Sequence, residues 1–393
     1  MKIIWSTLWF LDYRIAVFKE LSQIEGVDFY LIYNHEVNSE SINQKVRAAL
    51  KGRAIPMTGE VKLGSNSVSG FANKGFRIPY QPGLVKQIRA LQPDVMVSDG
   101  FFQWTYAPLY LRATAKIPHV MCYERTNHTE RSAQVVRKLY RKLALKWIDV
   151  ICCSGELCGQ YVTQLGFDKS RITFGHMAAD VESLKNQVEK IETTTLENLK
   201  QKLELSQTTY IYVGRMIELK GIMQLLNAWR DFSYNFSDKP TLVLVGSGEQ
   251  DDMIKSEIKT KQLDNVRFVG RISYDDIATY YKLADVLVIP TLEDNWSLVV
   301  PEAMSCGLPV ITSVYNGCWP ELVQKRNGWV VDPLNHEDFV KTLTESYKKR
   351  SDFKTMGQVS YEIVQKYTPA TAAKQIYESC QIAIGFRKNG YPE

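Results

Sequence analysis

Apolar positions along this chain recur in two rhythms. Short unbroken runs of β-branched and aromatic residues alternate with segments of helical, three-to-four periodicity. That alternation predicts parallel strands buried on both faces, with helices between them. Strands are predicted over residues 2–5, 27–33, 94–98, 120–123 and 150–153, with a helix about Arg14 to Gln23 after the first. A second set falls at 210–213, 241–245, 266–269, 286–289, 310–311 and 329–331, with a helix from Ile222 to Phe232. After Ile172 apolar residues thin out, and Asn186 to Ser206 reads as a linker plus a surface helix. Asn38 to Pro82 is polar, with Gly59 to Gly70 as a mobile loop of the kind that often carries ligand contacts. The expected architecture is α/β with two Rossmann-like domains, 1–185 and 186–368, and a helix over 369–393. A length of 393 residues exceeds what one core usually supports, in line with two domains.

Within the second set, one stretch constrains chemistry most tightly: Thr291-Leu-Glu-Asp-Asn-Trp-Ser-Leu-Val-Val-Pro-Glu-Ala-Met-Ser-Cys-Gly-Leu-Pro-Val-Ile311. It follows a buried strand, so Asp294 lies in the loop beyond a strand end and Glu302 on the next helix. Open α/β sheets bind ligands in that crevice, where helix N-termini favour phosphate. Acids near a helix start also serve as plain caps and dipole partners. The run Thr209 to Val213 leads into Gly214-Arg-Met-Ile-Glu-Leu-Lys-Gly221. A glycine turn flanked by Arg215 and Lys220 has the makings of a diphosphate clamp, against the plain reading of two solvated surface cations.

Charge is uneven. Residues 1–185 carry 24 Lys and Arg against 16 Asp and Glu, whereas the whole chain is only +5. Part of the excess lies on Arg131 to Ile148, where Val135, Val136, Leu139, Tyr140, Leu143, Ala144, Trp147 and Ile148 share one helical face. Arg137, Lys138, Arg141, Lys142 and Lys146 share the other. Two readings stand: a basic amphipathic helix on an anionic membrane, or a core-facing helix with a solvated basic face. No nucleic-acid-binding module is evident, and no apolar run reaches membrane-spanning length. The seven cysteines form no zinc-finger or C-x-x-C framework, so free buried thiols in a reducing, cytoplasmic compartment are expected. The apolar run Ile3 to Leu11 lacks a cleavage site and meets Asp12 and Arg14 early, unlike a signal peptide.

Taken together, Gly-Arg-x4-Lys-Gly, the acid-x7-Glu-Ala-Met-x-x-Gly-x-Pro-Val-Ile segment and Asn327-Gly-Trp-Val-Val-Asp-Pro333 resemble the family-4 retaining glycosyltransferases of the GT-B fold. The likeness covers about residues 205 to 335. It implies two parallel-sheet domains facing a cleft, the first binding acceptor and the second binding a nucleotide-sugar donor. The C-terminal helix then packs back on the first domain. By resemblance Glu302 accepts from the ribose hydroxyls, and Asp294 takes the place of the family's sugar-contacting Glu, with Glu293 as its rival. Arg215 and Lys220 hold the diphosphate. Gly214, Arg271, Glu293, Asn295, Trp296, Ser297, Leu298 and Val299 line the donor. Trp296-Ser297 replaces the family's Phe-Gly. His128, in Cys122-Tyr-Glu-Arg-Thr-Asn-His-Thr-Glu-Arg131, is placed near the donor sugar, with Glu124 and Arg125 beside it as candidate sugar or acceptor contacts. The family's Asn-Gly-Val-Asp becomes His176-Met-Ala-Ala-Asp180, and its Gly-rich first loop becomes Ser6-Thr-Leu-Trp-Phe10. Trp5, Trp9, Phe10, Tyr13, Phe101, Phe102 and Trp104 are candidates to stack on sugars, with core packing expected for at least half.

The expected activity is retaining, metal-independent hexosyl transfer from a UDP- or GDP-sugar to a saccharide or lipid-linked saccharide, in surface polysaccharide or glycoconjugate synthesis. No cofactor and no metal site are expected. The alternatives are a GT-B sugar-nucleotide epimerase or a catalytically idle sugar-nucleotide-binding protein. Expected partners are the donor, the acceptor and, at the inner face of the plasma membrane, anionic lipid.

Overall fold

The computed structural model describes residues 1–64, 77–179, 181–274 and 276–389. The chain divides into two compact units, Met1–Ala178 joined by the tail from Tyr367, and Ala179–Lys366. Residues 179–185, assigned above to the first domain, therefore open the second unit. Asp180 and the part of the Gly59–Gly70 loop beyond Gly64 lie outside the described residues.

The first unit holds β1 (Lys2–Thr7), β2 (Asp28–Asn34), β3 (Ala54–Met57), β4 (Val61–Gly64), β5 (Arg77–Tyr80), β6 (Val95–Asp99), β7 (His119–Tyr123), β8 (Val150–Cys153) and β9 (Ile172–Phe174). Seven of these make a parallel sheet of order β3-β2-β1-β6-β7-β8-β9, while β4 and β5 form a separate antiparallel pair. Successive side chains leave opposite faces of a strand. Ile3 and Trp5 thus join Phe18, Phe29 and Val97 in one core, while Ile4 joins Ile32, Met96 and Trp104 in another. Burial on both sides is why these strands read as unbroken apolar runs. The C-terminal helix Pro369–Asn389 completes the first of these cores through Ala372, Ala373, Ile376, Cys380 and Ala383.

The second unit carries β10 (Thr209–Val213), β11 (Thr241–Val245), β12 (Val266–Gly270), β13 (Val286–Ile289), β14 (Val310–Ser313) and β15 (Gly328–Val331). All pair in parallel, in the order β12-β11-β10-β13-β14-β15. This is a doubly wound sheet whose strand order reverses between β10 and β13. The expected linker region is two helices, Val181–Lys190 and Thr193–Lys202.

The basic segment of the first unit departs from the core-facing reading of its pattern. Its helix, Val135–Ala144, buries Arg137 and Arg141 and exposes Val135, Val136, Leu139 and Leu143. The cause is Glu130, buried in the turn before it. Arg141 reaches that carboxylate at 2.6 Å and donates to the Tyr161 hydroxyl at 2.8 Å. Arg137 and Arg141 both lie over the Phe102 ring, at 5.0 and 5.3 Å. A buried carboxylate needs a paired cation, and that need outweighs the apolar stripe. All seven cysteines are free, and six are buried. Among the described residues no helix is long and apolar enough to cross a membrane.

Candidate functional site

The reversal point of the second sheet places the turn after β10 beside the loop after β13. Gly221 closes the first turn with φ of 69°, and a Cβ there would stand 2.1 Å from the Pro290 carbonyl oxygen. Only glycine permits both the left-handed backbone and that approach. Closeness lets the Leu219 carbonyl accept from the Leu292 N–H at 2.8 Å and from the Thr291 hydroxyl at 2.9 Å. The Glu293 N–H shares the same acceptor at 3.3 Å. The two loops are thereby one body, and across them Lys220 Nζ pairs with Asp294 Oδ2. The side chains of this pair are only 16% and 15% exposed.

Asp294 is also fixed from behind. It bridges in parallel to Asn316, receives the Gly317 N–H on its carbonyl at 3.0 Å, and accepts the Trp296 N–H on Oδ1 at 3.3 Å. Asn316 is fully buried. Its amide oxygen accepts from the Ser297 N–H at 3.3 Å while its amide nitrogen donates to Thr312 Oγ1 at 3.1 Å. Asn316 thus shapes the Trp296-Ser297 turn, whose two side chains are buried. Glu302 follows on the helix Val299–Ser305 and accepts from the Tyr281 hydroxyl at 3.2 Å. Burial first, then the Glu302 charge, push the Tyr281 phenol well above its ordinary pKa. Burial likewise takes the Cys306 thiol up to about 12.

Gly214 directly follows β10, and Arg215 after it is exposed, its carbonyl accepting from the Tyr212 hydroxyl at 2.9 Å. Asn295 and Leu298 are half-buried along the β13 loop, and Val299 is half-buried at the start of the helix after it. Arg271 is exposed just past β12, two strands from β10, so about 10 Å along the same rim.

The first unit has its own reversal point, between β1 and β6. Arg14, at the start of helix Tyr13–Gln23, is buried there. It donates to the His176 carbonyl and to His176 Nδ1, both at 2.9 Å, and lies 3.7 Å from Asp99 Oδ1. Trp5 Nε1 donates to Asp99 Oδ2 at 2.8 Å. Burial and then the Arg14 charge hold the His176 pKa down to about 3, so its Nε2–H donates to the Tyr123 carbonyl, 2.9 Å away, with the ring neutral. His128 is half-buried in the turn after β7, its carbonyl accepting from Arg131 Nη1 at 2.6 Å. Arg125, near it in that turn, lies 3.8 Å from Glu130. Of the aromatic candidates Trp5, Phe10, Phe101 and Trp104 are core residues, whereas Trp9 is exposed.

Two family models match the chain: "Glycosyl transferases group 1" over residues 195–362 and "Glycosyltransferase Family 4" over residues 26–183. The chain belongs to the family-4 glycosyltransferases. It is 31% identical over 168 residues to an uncharacterized glycosyltransferase of Haemophilus influenzae, covering 41% of this chain and 47% of that protein. The first curated relatives are matched over about half their own length. A sulfoquinovosyl transferase of Arabidopsis thaliana is 24% identical over 95% of this chain and 74% of its own. Anabaena HepE, solved in complex with UDP, shares the fold with a TM-score of 0.73 and 15% identity, covering 97% of this chain and all of that one. Such neighbours identify the two-domain architecture as GT-B.

In this family-4 chain the first model takes in the whole of the rim just described, from Gly214 to Glu302. Two contributors to the site were not foreseen. Asn316 is signalled only by an Asn-Gly turn, Asn316-Gly317, after an apolar strand, and Tyr281 by nothing local. Arg14 figured in the pattern only as a charge unsuited to a signal peptide.

Proposed function

We propose that the chain transfers a hexose from a UDP- or GDP-sugar to a saccharide or lipid-linked saccharide, with retention of configuration and without a metal. The reading rests chiefly on the Lys220–Asp294 pair held across the β10 and β13 loops at the sheet's reversal point. Solved neighbours of the same fold include Anabaena HepE with UDP-glucose, which supports a nucleotide-sugar donor here. On donor binding, the diphosphate displaces the Asp294 carboxylate from Lys220, and Asp294 turns to the sugar hydroxyls. Arg215 supplies the second cation and Glu302 accepts from the ribose diol. The bond from the anomeric carbon to the diphosphate oxygen then breaks as the acceptor hydroxyl adds on the same face, its proton passing to the leaving phosphate. Negative charge grows on that phosphate, so fixed cations act most strongly in the transition state. His128, Glu124 and Arg125 are proposed on the acceptor and sugar side, and Arg271, Asn295, Leu298 and Val299 along the donor. The product belongs to surface polysaccharide or glycoconjugate synthesis. With a lipid-linked acceptor the chain works at the cytoplasmic face of the plasma membrane, in peripheral contact with anionic lipid.

A thermal-shift panel of nucleoside diphosphates tests the donor reading. A ligand at about a hundredfold excess over its Kd adds about 2.7 kcal/mol of stability. UDP or GDP is expected to raise the melting temperature; no shift with any nucleoside diphosphate would sink the reading.

A further inference from the structure

The helix Val135–Ala144 presents its apolar residues to solvent. Val135, Val136, Leu139 and Leu143 are 72%, 63%, 61% and 51% exposed. At the helical period they fall on one arc, the exposed Lys138 and Lys142 lie along one flank of it, and the exposed Lys146 stands in the 3-10 turn Leu145–Trp147 that follows the helix. No acid occurs between Arg131 and Ile148. The helix has no freedom to roll and hide the arc. Its other side is tied by Arg141 to Glu130 and Tyr161, and by Arg137 and Arg141 to the Phe102 ring.

A contiguous apolar patch bordered by cations marks a docking surface. The charge pattern selects the occupant. A second copy meeting this face in two-fold symmetry would bring the same three lysines towards their equivalents, which repel. An anionic bilayer answers both halves of the arc, with acyl chains for valine and leucine and phosphates for the lysines, whose long stems reach up to the headgroups. We infer that this arc is the face by which the chain lies on an anionic lipid surface. The inference rests on the membrane contact proposed above and assigns it to named side chains: the exposed valines, leucines and lysines, and not Arg137 and Arg141.

Flotation with phosphatidylcholine vesicles, with and without phosphatidylglycerol, tests it. The full chain is expected to float with the phosphatidylglycerol vesicles, less so as salt rises. Each lysine near such a surface is worth about fivefold in partitioning. Lys138→Gln with Lys142→Gln and Lys146→Gln should therefore lower binding by at least about tenfold, and Leu139→Ser with Leu143→Ser should do likewise. All these side chains are exposed, so both sets should keep the parent's melting temperature and its response to nucleoside diphosphates. If the parent floats with neither vesicle, the membrane contact and this face both fall. If the parent floats and both variant sets float equally, the contact stands and the face is wrongly assigned. If the serine variants leave flotation unchanged but turn a dimer into a monomer in sedimentation equilibrium, the face belongs to a second copy and the inference is overturned.

Discussion

Replacing Asp294 by Asn separates the two parts that the Lys220–Asp294 pair is given. Asparagine keeps an oxygen at the position that accepts the Trp296 N–H, so the turn is preserved while the charge is lost. In the parent, a diphosphate must take Lys220 from a carboxylate with which it shares a largely buried contact. Two unit charges about 4 Å apart interact by about 4 kcal/mol at an effective dielectric of about 20, which sets the scale of the competition. Solvent at the exposed edge of both side chains, and the new bond to phosphate, leave about 1–2 kcal/mol as the expected gain on removing the carboxylate. Asp294→Asn should therefore bind free UDP or GDP about five- to thirtyfold more tightly, while transfer falls by about a hundredfold through loss of an oriented contact to the sugar. Calorimetric titration with the nucleoside diphosphate and a product assay with the nucleotide sugar give the two numbers. Lys220→Met should weaken the same titration, and in the double variant the gain from Asn should vanish. A double variant in which the gain persists would refute ion-pair exchange, as would an Asp294→Asn protein that binds nucleoside diphosphate no better than the parent.

Two other outcomes follow from the first unit. Arg141→Met strands the buried Glu130 carboxylate and should cost about 3–5 kcal/mol in urea unfolding; adding Glu130→Gln should recover much of it, and strict additivity of the two would refute the coupling. His176 is held near pKa 3 against 6.5 unfolded, so below about pH 6.5 the unfolded chain binds the extra proton and stability drops. Its share of the loss should reach about 2 kcal/mol by about pH 5, full stability lying above the unfolded pKa. His119, lowered to about 4 by burial, loses stability over the same range, so His176→Gln should make the profile shallower without flattening it, and a parallel profile in the variant would contradict neutral burial.

Much of the fold was legible because a parallel strand buried on both faces has to be an unbroken apolar run. Val286–Ile289 and Thr241–Val245 could be placed from the sequence for that reason. The strands that escaped are edges. β3 carries Pro56 and β9 exposes Phe174, and an edge needs neither a full ladder nor two apolar faces. The helix Val135–Ala144 shows a different limit. Periodicity divides a helix into two faces without saying which is inward, and here the answer came from Glu130, outside the helix. The motif positions of the site were legible as types in order along the chain. The pairing of Lys220 with Asp294 was not, since it depends on strand order across 74 residues. Nor was the part of Asn316, which acts through backbone groups of a loop 19 residues earlier.

The membership of helix Pro369–Asn389 in the first unit sets an order of events during synthesis. Ile3, Trp5 and Phe18 leave the ribosome ahead of the whole second unit, yet the core they belong to lacks Ala372, Ile376 and Cys380 until that unit has been made. The second unit, continuous from Ala179 to Lys366, has no such wait. Domains commonly mature from the N-terminus as they are made. Here the second unit has all its residues first, and the first unit stays open along one side of its sheet until helix Pro369–Asn389 arrives. That interval is when the first unit is most exposed to chaperones and proteases, and a stop codon just before Pro369 would damage the unit whose strands are made ahead of the second.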